Sequence, residues 1–334
     1  MKVIDLEAHF LTREYEKHLL ARKDIPRADM DGDLFRVWYD YGFHIDRAPE
    51  LGEALRDFGE RRLGTMDAAG VDVQAISLTN PHVQCFEPAE GVAWSKTLNN
   101  VLAAAVKTRP DRFLGLACIA PQDPEAAAAE LERAVTELGL RGVCVQSHAR
   151  NEYLDDRKYW PIFEAAERLD VPLYLHPEVP STAILKPYAD YGAVLLHYAF
   201  AAEVAVHTLR LIHSGLFDQY PGLKIILGHM GEGLPFWISR LDTPWRRKTF
   251  KAKIARKVSD YLKTNFTITT SGMCFQPAFL CAYLALGADR MAFAVDYPMG
   301  DSQEAVAFLK SVPICDEDRE KISHLNAEKL LKIQ

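Results

Sequence analysis

Four side chains of metal-ligating type stand where short apolar runs end: Glu7 and His9 after Val3-Ile4, His176 after Val171-Pro-Leu-Tyr-Leu175, and Asp296 after Met291-Ala-Phe-Ala-Val295. Imidazole together with carboxylate is the donor set that zinc or manganese takes. Two carboxylates and two imidazoles balance the charge of one divalent ion and leave coordination positions for substrate or water, which is the catalytic type of site. Glu7 and His9 are two apart, so on an extended chain they point to the same side and can serve one ion from one strand. His176 precedes Pro177, which stops the strand just after the imidazole. Each residue has a plainer reading alone: an exposed Glu-x-His pair beside a turn, a hydrogen-bonded strand-end histidine, an aspartate capping the next helix. Asp301 is better placed than Asp296 for that cap.

A second pair lies in Leu227-Gly-His-Met-Gly-Glu-Gly233, where Glu232 follows His229 by three residues. If a turn forms, the carboxylate reaches the imidazole, fixes its tautomer and raises its basicity, which suits acid/base work beside a metal. A solvated loop pair is the plain alternative. The glycines match neither G-x-x-x-x-G-K-[ST] nor G-x-G-x-x-G, so a phosphate cradle is not indicated. Of the other histidines, His207 and His213 share no helix face, while His18, His44, His82, His148, His197 and His324 have no ligand spacing and read as structural or surface residues. Phe10, Trp38 or Tyr297 could wall a ring-shaped substrate.

The elements that must position these groups alternate. Strand patterns cover residues 2–6, 73–78, 113–119, 142–145, 172–175, 224–227, 266–269 and 291–295. Helix patterns fall between them at 53–69, 89–108, 124–138, 159–169, 201–214, 259–264 and 276–286. That βα order predicts a parallel sheet, and eight strands predict a closed (β/α)8 TIM barrel. Runs such as Ile225-Ile226-Leu227 lack alternation, as expected of strands covered on both faces. In such a barrel, reactive residues closing separate strands meet at one mouth although distant in sequence. Two segments stand outside the repeat. Residues 22–49, charged and aromatic, predict an insertion folded over the mouth or onto a neighbouring subunit, and residues 316–333 predict an amphipathic C-terminal helix.

At 334 residues and 49% hydrophobic, the chain suffices for one barrel domain over 1–334. A formal net charge of −7 with both signs scattered leaves no basic stripe for nucleic acid. Six cysteines without a C-x-x-C pair, and no leader-like start, predict a reduced cytoplasmic setting. Cys118 and Cys144 lie in apolar strand-like runs and read as small core residues rather than nucleophiles. No apolar run approaches the length of a membrane span.

Several motifs taken together resemble the amidohydrolase superfamily: Leu6-Glu-Ala-His-Phe10, Tyr153-Leu-Asp-Asp156, Tyr174-Leu-His-Pro177, Leu227-Gly-His-Met-Gly-Glu-Gly-Leu-Pro235, Gly287-Ala-Asp-Arg290, Asp296-Tyr-Pro298 and Asn326-Ala-Glu-Lys329. Within it they are most similar to the metal-dependent nonoxidative decarboxylases, the γ-resorcylate decarboxylases above all. The resemblance implies one divalent metal, zinc or manganese, on Glu7, His9, His176 and Asp296, with His229 and Glu232 as a catalytic dyad. It matches Arg240, in Ser239-Arg-Leu-Asp242, to an arginine that approaches the catalytic aspartate, sometimes across a subunit interface, which implies a homodimer or homotetramer. The substrate implied is an aromatic acid with a hydroxyl ortho to its carboxylate, losing CO2 reversibly, with Asp296 as the proton donor. Glu-x-His replaces the His-x-His of hydrolytic relatives, and Val143-Cys-Val-Gln146 lacks the bridging lysine of binuclear ones; both favour a mononuclear decarboxylase. The runner-up is a metal-dependent hydrolase of a lactone or amide. A third reading is a barrel that binds an aromatic acid without catalysis.

Overall fold

The computed structural model describes residues 1–192, 196–244 and 254–333. Its strands, in chain order, are β1 (Ile4–Phe10), β2 (Arg27–Asp31), β3 (Leu34–Trp38), β4 (His44–Arg47), β5 (Val73–Leu78), β6 (Phe113–Cys118), β7 (Gly142–Gln146), β8 (Leu173–His176), β9 (Ile225–Leu227), β10 (Phe266–Thr269) and β11 (Met291–Ala292). Eight form one parallel sheet in the order β1-β5-β6-β7-β8-β9-β10-β11. The segment after β11 closes the ring on β1: Leu6 N–H donates to Phe293 O at 3.1 Å, Asp296 N–H to Glu7 O at 2.9 Å, and His9 N–H to Tyr297 O at 2.7 Å. Helices surround the strands, and the predicted α/β barrel is the observed architecture.

Two strand boundaries depart from the expectation in ways that matter. β1 extends to Phe10, so Glu7 and His9 lie inside the strand rather than beyond it, and its pairing with β5 slips register between Asp5 and Ala8. The last strand is regular only over Met291–Ala292. Beyond it, side chains substitute for ladder partners: Thr270 Oγ1 accepts from Ala294 N–H at 3.1 Å, and Asp5 Oδ1 from Val295 N–H at 2.9 Å. A side-chain acceptor satisfies the backbone as a ladder would while freeing the chain to bend, which positions Asp296.

The barrel interior is apolar at its lower end. Ile4, Leu6, Leu114, Leu116, Tyr174 and Ile226 form one buried cluster with Ala327, Leu330 and Leu331 of the helix Asn326–Leu331, so the C-terminal segment plugs the bottom and leaves the polar groups at the top. The helix expected over 53–69 is two helices, Pro49–Arg56 and Glu60–Ala69. Asp57 separates them because its carboxylate accepts the N–H groups of Gly59 and Arg62 at 3.2 and 2.7 Å. Residues 22–49 hold the antiparallel sheet β2-β3-β4. It lies over this chain's own barrel mouth: Arg47 donates to Asn80 O after β5, and Thr182 Oγ1 after β8 donates to Asp40 Oδ2 at 2.9 Å. The C-terminal segment is helical but broken, with Asp316–Glu320 and Asn326–Leu331 flanking a wider turn at Lys321–Leu325.

Candidate metal centre and active site

The barrel brings the four expected ligands together. Glu7, His9, His176 and Asp296 each present a donor atom, all within 4.8 Å of one another. His9 Nε2 is 3.1 Å from Asp296 Oδ1 and 3.8 Å from Glu7 Oε1; His176 Nε2 is 3.3 Å from Glu7 Oε1. The far nitrogens are held from behind, His9 Nδ1 by Ser77 Oγ at 3.2 Å and His176 Nδ1 by Gln146 Oε1 at 2.9 Å. Such contacts fix tautomer and ring direction and leave Nε2 for a metal. Gln146 pairs with His176 across β7 and β8, so the strand register itself places the amide behind the imidazole.

Glu7 is held by a residue that sequence reasoning did not single out. The Tyr174 hydroxyl donates to Glu7 Oε2 and also meets Thr269 Oγ1 at 3.1 Å. Thr269 Oγ1 touches Ser271 Oγ at 2.9 Å, and Ser271 accepts the His229 N–H at 3.0 Å, so one run of hydroxyls joins the two halves of the site. Gly228 makes room for it: a Cβ there would stand 3.1 Å from Tyr174 OH and 3.3 Å from Glu7 Oε2. The two-residue spacing from Tyr174 to His176 on β8 was the available signal, since both must face the barrel interior. Glu7 Oε1, by contrast, is buried with no hydrogen-bond partner and faces His9 and His176. An orphaned carboxylate oxygen between two imidazole nitrogens fits a cation.

His229 stands at the rim, its Nδ1 2.7 Å from Glu232 Oε1 and its Nε2 3.9 Å from Asp296 Oδ2 and 3.8 Å from Glu7 Oε1. The turn between them is left-handed: φ is 50° at His229, 55° at Met230, 72° at Gly231 and 53° at Glu232, and 69° at Asp296. Non-glycine residues hold such angles only where the surrounding structure enforces them, and they cluster at functional sites. The rim is where the centre opens. The side chains of Asp296 and His229 are 19% and 21% exposed, those of His9 and Glu7 0% and 1%.

Electrostatics say the same. Burial resists ionisation of Glu7, but His229, His176 and His9 outweigh it and hold its carboxyl well below the usual range. Burial also resists a proton on His9, yet Asp296 and Glu7 lift it to about 9. Burial and then Glu232, Glu7 and Asp296 act on His229 in the same opposed way, with the carboxylates prevailing. Carboxylates that draw positive charge this strongly onto neighbouring imidazoles are suited to a divalent ion.

Two expected substrate contacts are not part of this centre. Phe10 points outward, its ring 5.7 Å from Phe58, because alternation along β1 sends it away from the side that His9 faces. Arg240 is exposed on the helix Leu234–Leu241, its guanidinium 5.9 Å over Trp237. Trp38 bonds Asp29 within the small sheet, and Tyr297 stacks under Arg62 at 4.7 Å. Arg62 is a further residue that the sequence did not announce. Fully buried, it donates to Asp57 O and His9 O at 2.7 Å each and to Ala54 O at 3.2 Å, bracing the strand that carries two of the ligands.

A parallel eight-stranded barrel with this cluster at its strand ends defines a metal-dependent amidohydrolase-type enzyme. The Amidohydrolase family model matches residues 4–333, and the chain belongs to that family. It is 41% identical over 303 residues to the γ-resorcylate decarboxylase of Polaromonas sp., covering 87% of this chain and 93% of that one. Among solved structures, a dihydroxybenzoic acid decarboxylase from Polaromonas sp. with bound manganese and the inhibitor 2-nitroresorcinol superposes with a TM-score of 0.86, at 38% identity over 99% of this chain and 97% of that one. The 5-carboxyvanillate decarboxylase of Sphingomonas paucimobilis gives 0.90 at 34% identity over 100% and 99%. The chain is accordingly a carboxy-lyase of the amidohydrolase superfamily. Among the described residues no helix is long and apolar enough to cross a membrane.

Proposed function

We propose that the protein is a metal-dependent nonoxidative decarboxylase of ortho-hydroxybenzoate-type acids, with γ-resorcylate (2,6-dihydroxybenzoate) as the leading substrate. The observation that carries this is the convergence of Glu7, His9, His176 and Asp296 within 4.8 Å beside the His229–Glu232 pair. Glu7, His9, His176 and Asp296 hold one divalent ion, manganese or zinc. When bound, the ion would ligate the acid's carboxylate and adjacent hydroxyl and offset the cost of bringing an anion into the site.

The chain's own groups move the proton. Asp296 Oδ1 lies among the ligand atoms, 3.1 Å from His9 Nε2, while its Oδ2 faces His229 Nε2 at 3.9 Å, so one carboxylate oxygen faces the metal ligands and the other the rim. His229, oriented by Glu232, supplies a proton to Asp296 Oδ2, and Asp296 delivers it to the ring carbon bearing the carboxylate. The bond from that ring carbon to the carboxylate carbon then breaks, its electron pair returns to the ring and restores aromaticity, and CO2 leaves. Run backwards, the same transfers give carboxylation. Positioned acid/base groups typically contribute about 10² to 10⁴ in rate.

Residues 1–334 act as one catalytic domain in a homo-oligomer, dimer or tetramer. Supporting this, Phe236 and Trp237, 73% and 49% exposed, lie on the same helix as Arg240, and Leu284 on the neighbouring helix Gln276–Leu286 is 79% exposed. A self-associating face there carries Arg240 toward a neighbouring copy's site. The six free cysteines suit the cytoplasm. The test is CO2 release from 2,6-dihydroxybenzoate, 2,3-dihydroxybenzoate and 5-carboxyvanillate by manganese- or zinc-loaded protein, with a chelated control. Metal-dependent release is expected, fastest on 2,6-dihydroxybenzoate. Silence across the panel with metal bound, or ring opening without CO2, overturns the reading.

A further inference from the structure

His82 was unremarkable in the sequence, yet it sits beside the metal centre with nothing to bind. It follows β5 by a short turn, five residues after Ser77, whose hydroxyl meets His9 Nδ1. Two bonds pin that turn against the chain leaving His176: Asn80 Nδ2 donates to Pro177 O at 3.0 Å, and the His82 backbone N–H to Glu178 Oε2 at 2.9 Å. The imidazole is wholly buried, and burial above all pushes its pKa down to about 3 and keeps it neutral. A neutral imidazole offers one N–H donor and one bare acceptor nitrogen. In His82 both nitrogens are enclosed and neither has a partner, and on the same turn Asn80 Oδ1 is also enclosed and unpaired. Buried polar atoms are nearly always satisfied, so three orphans on one turn call for a ligand.

The orphans specify what that ligand group is. An N–H donor and an amide oxygen acceptor on one turn are both satisfied by a hydroxyl, which accepts from the first and donates to the second. A carboxylate or a methoxy group only accepts, and a ring hydrogen does neither. We propose that His82 is a specificity-determining residue, hydrogen-bonding, with Asn80, the ring hydroxyl of the aromatic acid that is not engaged by the metal. The inference rests on the decarboxylase reading above and deepens it: the preferred substrates carry a second free hydroxyl. Sites built to bond a hydroxyl discriminate strongly against analogues lacking it, because their own buried groups are then left unpaired.

The test compares kcat/KM for 2,6-dihydroxybenzoate and 2-hydroxybenzoate in the manganese-loaded wild-type enzyme, His82→Leu and His82→Gln. Wild type is expected to favour the dihydroxy acid by about 10- to 100-fold. His82→Leu is expected to erase most of that ratio, with the loss concentrated on the dihydroxy acid, and His82→Gln, which keeps a donor and an acceptor, to restore part of it. A purely structural histidine would lower both substrates together; an unchanged ratio, or equal losses, overturns the proposal. Should the wild-type enzyme release CO2 from neither acid, the decarboxylase reading fails, and calorimetry of 2-nitroresorcinol against 2-nitrophenol reads His82 separately. Discrimination lost in His82→Leu supports the assignment, and discrimination retained refutes it.

Discussion

Replacing Tyr174 with phenylalanine deletes a single oxygen, the one that donates to Glu7 Oε2 in the buried floor of the metal cluster. Tyr174 and Glu7 are almost completely enclosed, so no water takes the hydroxyl's place, and the aromatic ring itself is kept. A hydrogen bond to an ionised group contributes about 1.5 to 3 kcal/mol, and every 1.4 kcal/mol is about tenfold in an equilibrium constant. Without its donor the carboxylate either turns away from His9 and His176 or takes up a proton, and both cost metal affinity. Manganese is therefore expected to bind about 10- to 100-fold more weakly, in line with the usual effect of removing a group that orients a ligand. Thr269, which loses the same contact, keeps its bond to Ser271, so the fold is little disturbed. The assay is competition for Mn2+ between the protein and a chelator of known affinity, with circular dichroism to confirm folding. A folded Tyr174→Phe variant binding manganese within twofold of wild type would refute the argument that Tyr174 positions Glu7.

Asp296→Asn keeps the size and one oxygen of the side chain but removes the acid, so turnover is expected to fall below detection while metal content by elemental analysis stays substantial; near-normal CO2 release would reject Asp296 as donor. Arg62→Leu removes the guanidinium from the carbonyls of Asp57 and His9 and leaves Ala54 O with only its longer contact to the Asp57 N–H. Unpaired buried groups of this kind cost about 1 to 3 kcal/mol each before relaxation, so a drop of at least about 2 kcal/mol is expected in urea unfolding, and an unchanged midpoint contradicts it. His207 gives a pH dependence. Burial depresses its pKa to about 3 from the ordinary 6.5, and Nε2 accepts the Leu154 N–H at 3.0 Å. The unfolded chain then binds the extra proton first, so this contribution is complete above about pH 6.5 and lost as pH falls toward 3. In His207→Gln, stability measured across that window is expected to fall less steeply than in wild type; parallel curves would refute it.

The ligand set was legible in the sequence because each member interrupts or closes an apolar strand run, and an alternating βα order leaves one place where strand ends meet. The His229–Glu232 pair was legible for a local reason: three residues and two glycines suffice for the turn that brings Glu232 Oε1 to Nδ1. Phe10 was misread because β1 continues in regular register through His9 and Phe10, so the alternation that turns His9 inward turns Phe10 outward.

Direction and neighbourhood belong to the tertiary structure. Tyr174 under Glu7, Gln146 behind His176 and Arg62 behind His9 depend on pairings between residues far apart in the chain, fixed by strand register and helix docking rather than by local propensity. The same holds for the 22–49 segment, whose charges and aromatics predicted an insertion but not a sheet, nor that Arg47 would reach Asn80. His82 is the clearest case. By itself the sequence determined that a histidine follows Asn80-Pro81; only the packing of the β5 turn against the chain leaving β8 decided that its imidazole would be buried beside His176 with both nitrogens unpaired, because burial and satisfaction are properties of what surrounds a group.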